Sequence, residues 1–180
     1  MRLISTMVMF GLAACSAAQT VPASESYSVL LMDDGQTWCA YKSPSEFETE
    51  AMRVMPTESV RLTYTANRLS ELTHQVEAES GDWIVIDRYT LADGGATLRR
   101  ATLLAQANRQ VIQEAVIQGD TNSAFRVVSV STLDGTRSEL PPNVELPELP
   151  VSTDLSVTPF ARIVRDMRDL SIGKLCKKMD

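Results

Sequence analysis

The middle of the chain alternates between apolar and polar residues, the period of a β-strand with one buried face. Between residues 59 and 133 the pattern recurs in six segments, separated by short turns rich in Gly, Asn, Asp and Ser. Val60, Leu62 and Tyr64 give the clearest example, since polar residues stand between them. Parallel strands need crossovers of about a dozen residues or more. The short connections therefore predict an antiparallel meander.

Two more strands and a helix are predicted before this region. Residues 27–32 and 37–42 flank an Asp-Asp-Gly-Gln sequence, which is typical of a β-hairpin turn. A helix then begins after Ser43, a favourable N-cap, and ends at Pro56. Helical spacing predicts one apolar face on this helix, made by Phe47, Ala51, Val54 and Met55.

The C-terminal part of the sequence contains a proline-rich segment and then a predicted helix. Residues 140–159 are rich in proline, which predicts an extended crossing of the surface rather than a helix or a central strand. A last helix is predicted after that, ending at Gly173, with one apolar stripe made by Phe160, Ile163, Val164, Met167 and Leu170. The fold class that we expect is α+β, a curved antiparallel β-meander of six to eight strands with one or two helices packed on it.

Two predicted strands carry apolar residues on both of their faces. The sequence Trp83-Ile84-Val85-Ile86 has no alternation, and neither has Leu103-Leu104. Such strands are either covered on both faces or meet another apolar molecule. Trp83, Val85 and Leu103 are therefore the candidate surface for an apolar ligand.

The N-terminus reads as an export signal. Arg2 precedes an apolar run of about ten residues, too short to span a bilayer core of about 30 Å. Leu12-Ala13-Ala14-Cys15 then resembles the lipobox of bacterial lipoprotein precursors. The resemblance implies cleavage before Cys15, acylation of that cysteine and, from Ser16, sorting to the outer membrane. Ordinary cleavage after Ala18 is the alternative, because small residues stand at the required positions.

The expected organisation follows from these signals. Residues 1–18 are the signal peptide, residues 19–26 a flexible tether rich in small and polar residues, and residues 27–180 a single globular domain. The expected location is the periplasmic side of the outer membrane if Cys15 is acylated, and the soluble periplasm otherwise. The acylated form contacts the membrane only through its lipid anchor.

Cysteine content agrees with an oxidising compartment. Once Cys15 is acylated or removed, Cys39 and Cys176 remain as an even pair near the two ends of the domain. We expect a disulfide between them, with two unrelated buried thiols as the alternative. No Cys-x-x-Cys or Cys/His spacing indicates a redox or zinc site.

Charge and motifs narrow the possible functions. The net charge of −6 argues against nucleic-acid binding, which needs a basic surface. The sequence has no phosphate-binding loop, metal-binding motif or nucleophile elbow, so we expect no metal and no cofactor. We expect the single histidine, His74, to be packed, and Asp87 to pair across strands with Arg99 or Arg100. The three lysines near residue 176 are expected in a last helical turn or tail.

These observations favour an exported envelope protein that acts as a non-catalytic binding or assembly module for a protein partner. The alternative is a carrier of a lipid-like apolar ligand, since curved meanders of this kind occur in lipocalins and in the open barrels of lipoprotein-sorting factors. A periplasmic hydrolase or inhibitor, with Asp87 or His74 as its key residue, is a third and weaker interpretation.

Overall fold

The computed structural model describes residues 24–32, 36–66, 68–92, 95–117, 125–149 and 174–178. In these ranges nine strands belong to one antiparallel sheet, and one helix packs on it. The strands lie in the order β8-β7-β6-β5-β4-β3-β1-β2-β9, so β8 and β9 form the edges of an open sheet. The elements are β1 (Ser24–Leu31), β2 (Thr37–Tyr41), α1 (Pro44–Val54), β3 (Glu58–Thr65), β4 (Arg68–Glu77), β5 (Trp83–Ala92), β6 (Gly95–Leu104), β7 (Arg109–Ile117), β8 (Arg126–Thr132) and β9 (Lys174–Lys178).

The antiparallel meander is confirmed, and the α+β class holds. Strands β3 to β8 follow one another along the chain and across the sheet. The predicted number of six to eight strands was too low, because β9 was expected to be a helical turn or tail. Its sequence KLCKK has no apolar alternation. It becomes a strand by pairing with β2, and this long-range contact leaves no trace in local sequence.

Strand β1 begins earlier than expected. It starts at Ser24, inside the stretch 19–26 that composition assigned to a tether. Ser24 lies opposite Thr65 of β3, and the pairing continues along most of both strands. Backbone hydrogen bonds to a neighbouring strand do not require apolar side chains, so a polar strand end escapes prediction.

Helix α1 matches the prediction at its start. Ser43 has an extended backbone, its hydroxyl accepts a hydrogen bond from the Glu46 N–H at 3.4 Å, and Pro44 is the first helical residue. At the other end, Met55 takes a left-handed conformation with φ of 46°. This turns its side chain out of the apolar face, and Met55 is 81% exposed. The prediction that Met55 shares one face with Phe47, Ala51 and Val54 is therefore wrong, since only those three pack against the sheet.

The two faces of the sheet are covered differently. We call the face that carries the main hydrophobic cluster the core face and the other the outer face. Helix α1 lies on the outer face, where it contacts β1 and β2. The core face contributes Tyr27, Val29, Trp38, Ala40, Val60, Leu62, Tyr64, Leu72, Tyr89, Leu98 and Ile117, whereas Leu30, Cys39 and Tyr41 pack against Phe47, Ala51 and Val54 under α1.

The structure of the segment after β8 agrees with the prediction made from its prolines. Residues 138–149 contain neither helix nor strand, and the carbonyl of Leu149 bonds to a side chain of the core face. The predicted turn at 33–35 and the predicted last helix at 160–170 lie outside the described residues.

Candidate functional site

A buried ion pair joins β5 and β6 on the core face. Asp87 and Arg100 lie opposite each other in the strand register, and each is 4% exposed. The Arg100 Nε and Nη2 atoms donate to the two carboxylate oxygens of Asp87, both at 2.7 Å. The Arg100 Nη1 donates to the Leu149 carbonyl at 2.9 Å, and its guanidinium lies 4.6 Å from the ring centre of Phe125.

This geometry pairs Asp87 with a cation on the neighbouring strand. The expected cross-strand pair forms with Arg100, whereas Arg99 lies on the outer face within 3.8 Å of Glu114. Both carboxylate oxygens of Asp87 accept hydrogen bonds from one guanidinium, the bidentate arrangement that adds geometric specificity to a charge pair. The same pair affects Tyr89, because burial, reinforced by the Asp87 charge and partly offset by Arg100, raises the pKa of Tyr89 to about 12.

His74 is held by a neighbouring carboxylate. Its Nε2 lies 2.7 Å from the Glu58 Oε1, and both side chains are partly buried. In the strand register His74 stands opposite Asp87, so a row of polar residues crosses the core face from β4 to β6. The arrangement agrees with the packed, hydrogen-bonded histidine that the sequence predicts.

The three candidate ligand residues do not share one surface. Val85 is buried on the core face, and Trp83 lies half-buried on the same face beside Leu104. Leu103 is on the outer face, opposite Ile84. Trp83 and Leu104 instead line a separate open groove of about 430 Å³, which Pro141 and Val144 border from the segment after β8.

Apolar side chains of β5, β6 and β7 also form a patch on the outer face of the sheet. The register aligns Ile84 with Leu103, and Ile86 with Ala101 and Ile112, across β5, β6 and β7. Four of these residues are half-buried, and Ile112 is 7% exposed. We call Ile84, Ile86, Ala101, Leu103 and Ile112 the outer apolar patch. Helix α1 contacts β1 and β2, at the other end of this face.

A groove separates the patch from α1. It has a volume of about 720 Å³, and we call it the α1 groove. Its floor includes Ser59, Gln75 and Glu77 from β3 and β4, and its α1 side carries Met52 and Met55. The remaining lining residues are Leu30, Phe47, Ala51, Pro56, Thr57, Ala78 and Glu79.

The α1 groove and the outer apolar patch form one continuous surface. Gln75 and Glu77 of the groove floor lie opposite Ile86 and Ile84 of the patch in the β4–β5 pairing. Sequence reasoning missed the groove because it grouped Met55 with Phe47, Ala51 and Val54 on one apolar face of α1. One residue in the sequence did indicate an apolar surface here. Met52 is apolar but lies outside the stripe of Phe47, Ala51 and Val54 on α1, so it is expected to be exposed.

The expected disulfide is present in the structure. Cys39 and Cys176 lie opposite each other on β2 and β9 and are bonded, with a sequence separation of 137. Cys15 lies outside the described residues. Within the described ranges no group of three or more His, Cys, Asp or Glu residues is placed to hold a metal ion. No helix in that part of the chain is long and apolar enough to cross a membrane.

Comparison with known proteins gives no family for this chain: no family model, curated protein or solved structure matches it.

Proposed function

We propose that this chain is an exported envelope lipoprotein, anchored through Cys15, whose sheet is a non-catalytic binding or assembly module for another envelope protein. The observation that carries the binding role is the continuous surface of the outer face, on which the exposed Met52 and Met55 and the outer apolar patch lie on either side of the polar floor of the α1 groove. Exposed apolar patches bordered by polar residues mark interaction sites on soluble proteins. The Cys39–Cys176 disulfide supports the export part of the proposal, because such bonds persist in oxidising compartments.

Export and lipidation at Cys15 can be tested directly. Cells that express the chain are labelled with a fatty-acid analogue and fractionated, and the same is done with Cys15→Ser. The proposal expects label in the membrane fraction for the parent chain and an unlabelled, soluble product for the variant. Label that persists in Cys15→Ser, or a parent chain that stays unlabelled, contradicts lipidation at Cys15.

The binding role is tested by charge substitutions on the outer face. Leu103→Asp is compared with Thr97→Asp, since both positions lie on the outer face of β6 but Thr97 is outside the patch. The proposal expects the envelope complexes captured by chemical crosslinking to be lost in Leu103→Asp and kept in Thr97→Asp. Equal crosslinking of both variants, with the disulfide formed in each, argues against this surface.

The second candidate function is transport of an apolar ligand. The groove beside Trp83 favours it, because aromatic and aliphatic side chains from β5, β6 and the segment after β8 meet there. A native mass spectrum of the unreduced, detergent-free soluble chain separates the two candidates. An adduct of lipid-like mass supports the carrier, whereas a clean protein mass, lighter by the two hydrogens lost in the disulfide, supports the binding module.

A further inference from the structure

The helical layer on the outer face is incomplete in the described part of the chain. Helix α1 contacts β1 and β2, while the outer face of β5 to β7 is apolar at its centre. We propose that the α1 groove binds an amphipathic helix with a basic polar face, supplied by a protein partner and lying beside α1. This inference rests on the proposed binding function and specifies the chemistry of the partner.

The dimensions of the surface suit a helix. Strands are about 4.8 Å apart, so a helix about 10 Å across covers two of them. A helix placed against α1, which contacts β1 and β2, therefore covers the next two strands, β3 and β4, whose outer face forms the floor of the groove. Its far side reaches the edge of the outer apolar patch, where Gln75 and Glu77 stand opposite Ile86 and Ile84. Helix α1 has 11 residues and offers a wall about 16 Å long, roughly three turns of a partner helix.

The wall of the groove on the α1 side is unusually apolar for an exposed surface. Met52 is 75% exposed and Met55 is 81% exposed, and both line the groove. Methionine side chains are flexible and polarizable, so they adapt to apolar partners of irregular shape. Phe47 and Ala51 extend this apolar wall toward the start of α1.

The charges around the groove select a basic partner. Glu77 and Glu79 are the ionisable residues in its lining, and no lysine, arginine or histidine lines it within the described ranges. Glu48 lies one helical turn before Met52 and so adds a third carboxylate on that side of α1. Arg53 is the basic residue of the last turn of α1, and it pairs with Glu50. Lysine or arginine flanking the apolar stripe of a bound helix therefore meets Glu48 on the α1 side of the groove and Glu77 and Glu79 on the β4 side.

The test uses the full chain with Cys15→Ser, purified after export. The probe is a fluorescent synthetic helix of about 18 residues built from Leu and Lys with one apolar stripe, and its counterpart replaces every Lys by Glu. We expect saturable binding of the Leu/Lys helix, measured by fluorescence anisotropy, and binding of the Leu/Glu helix at least tenfold weaker.

Variants locate the binding site. Glu77→Lys with Glu79→Lys, and separately Met52→Ser with Met55→Ser, should each weaken binding of the Leu/Lys helix at least tenfold. Glu139→Lys, an exposed charge reversal after β8, is the matched control and should leave binding unchanged. Absence of binding, or equal binding by all variants, overturns the inference.

Other occupants of the groove are distinguishable. A photo-crosslinker at Met52 that reacts with residues 160–170 of the same chain, or with a second copy, contradicts the partner assignment. If an envelope partner crosslinks at Leu103 but the Leu/Lys helix does not bind, the helix inference fails while the proposed function stands. If the helix binds and no envelope partner is found at either position, the proposed function fails.

Discussion

Arg100 reaches across from β6 to Asp87 on β5 and donates two hydrogen bonds of 2.7 Å to its carboxylate, in a site where both residues are 4% exposed. Removing one member of a buried pair leaves an uncompensated charge, which costs about 3–5 kcal/mol. We therefore expect Arg100→Met to lower the free energy of unfolding by about that amount, as measured by urea denaturation.

A double variant distinguishes the cost of an unpaired buried charge from the cost of losing the ion pair. Asp87→Leu with Arg100→Met removes both charges, and we expect it to lie within about 2 kcal/mol of the parent, the residual loss coming from the Leu149 carbonyl. A double variant that is no more stable than Arg100→Met contradicts this account of the pair.

Tyr89 gives a prediction about alkaline pH. The pKa of Tyr89 is raised from 10.0 to about 12, chiefly by burial. Between these values the unfolded chain loses the phenol proton while the folded chain keeps it. Stability is therefore fully present below pH 10 and falls as pH rises toward 12, by about 2–3 kcal/mol at 1.36 kcal/mol per unit.

The variant Tyr89→Phe isolates this contribution. Denaturant unfolding at pH 9 to 11.5 should show a shallower loss of stability in the variant than in the parent. Tyr27, whose pKa is raised by burial and by the Glu25 hydrogen bond, still contributes in both proteins. Identical slopes contradict the assignment to Tyr89.

The disulfide should contribute much of the stability of the domain. It closes a loop with a sequence separation of 137, for which the chain-entropy model gives on the order of 4–5 kcal/mol. We expect Cys39→Ala with Cys176→Ala to lose this amount in urea denaturation. Hydrogen exchange should also accelerate at the amides of β2 that bond to β9. Unchanged exchange on β2 contradicts the view that the disulfide holds β9 in place.

Two leucines on β6 test the assignment of the faces. Leu98 is fully buried on the core face, and Leu103 is half-buried in the outer apolar patch. Leu98→Ala should cost about 2–5 kcal/mol in the free energy of unfolding, and Leu103→Ala about 1 kcal/mol. Equal costs in urea denaturation indicate that the outer patch belongs to the core of the domain.

Local patterns in the sequence predict the parts of the fold that depend on local physics. The alternation at Val60, Leu62 and Tyr64 yields β3, and Ser43 caps α1, because burial of one face and capping act over a few residues. Strand β9 was not predictable in this way. Its only long-range signal is Cys176, which implied that the tail returns to β2 without implying that it pairs as a strand.

The candidate site was predictable only in part. The doubly apolar sequence around Trp83 correctly indicated that both faces of β5 are apolar. Whether Leu103 or Leu104 shares a face with Trp83 depends on the β5–β6 register, and a slip of one residue exchanges the two faces. The exposure of Met55 depends on one left-handed residue at the helix end, which helical spacing does not report.

An envelope protein that binds the outer face lies within reach of both Met52 and Leu103. Photo-crosslinking in living cells detects it, with the photoreactive residue placed at Met52, at Leu103 or, as a control, at Glu139. We expect one discrete crosslinked protein at Met52 and Leu103 and none at Glu139. Absence of any adduct at Met52 and Leu103, in chains that are exported and carry the Cys39–Cys176 bond, contradicts binding of an envelope protein at the outer face.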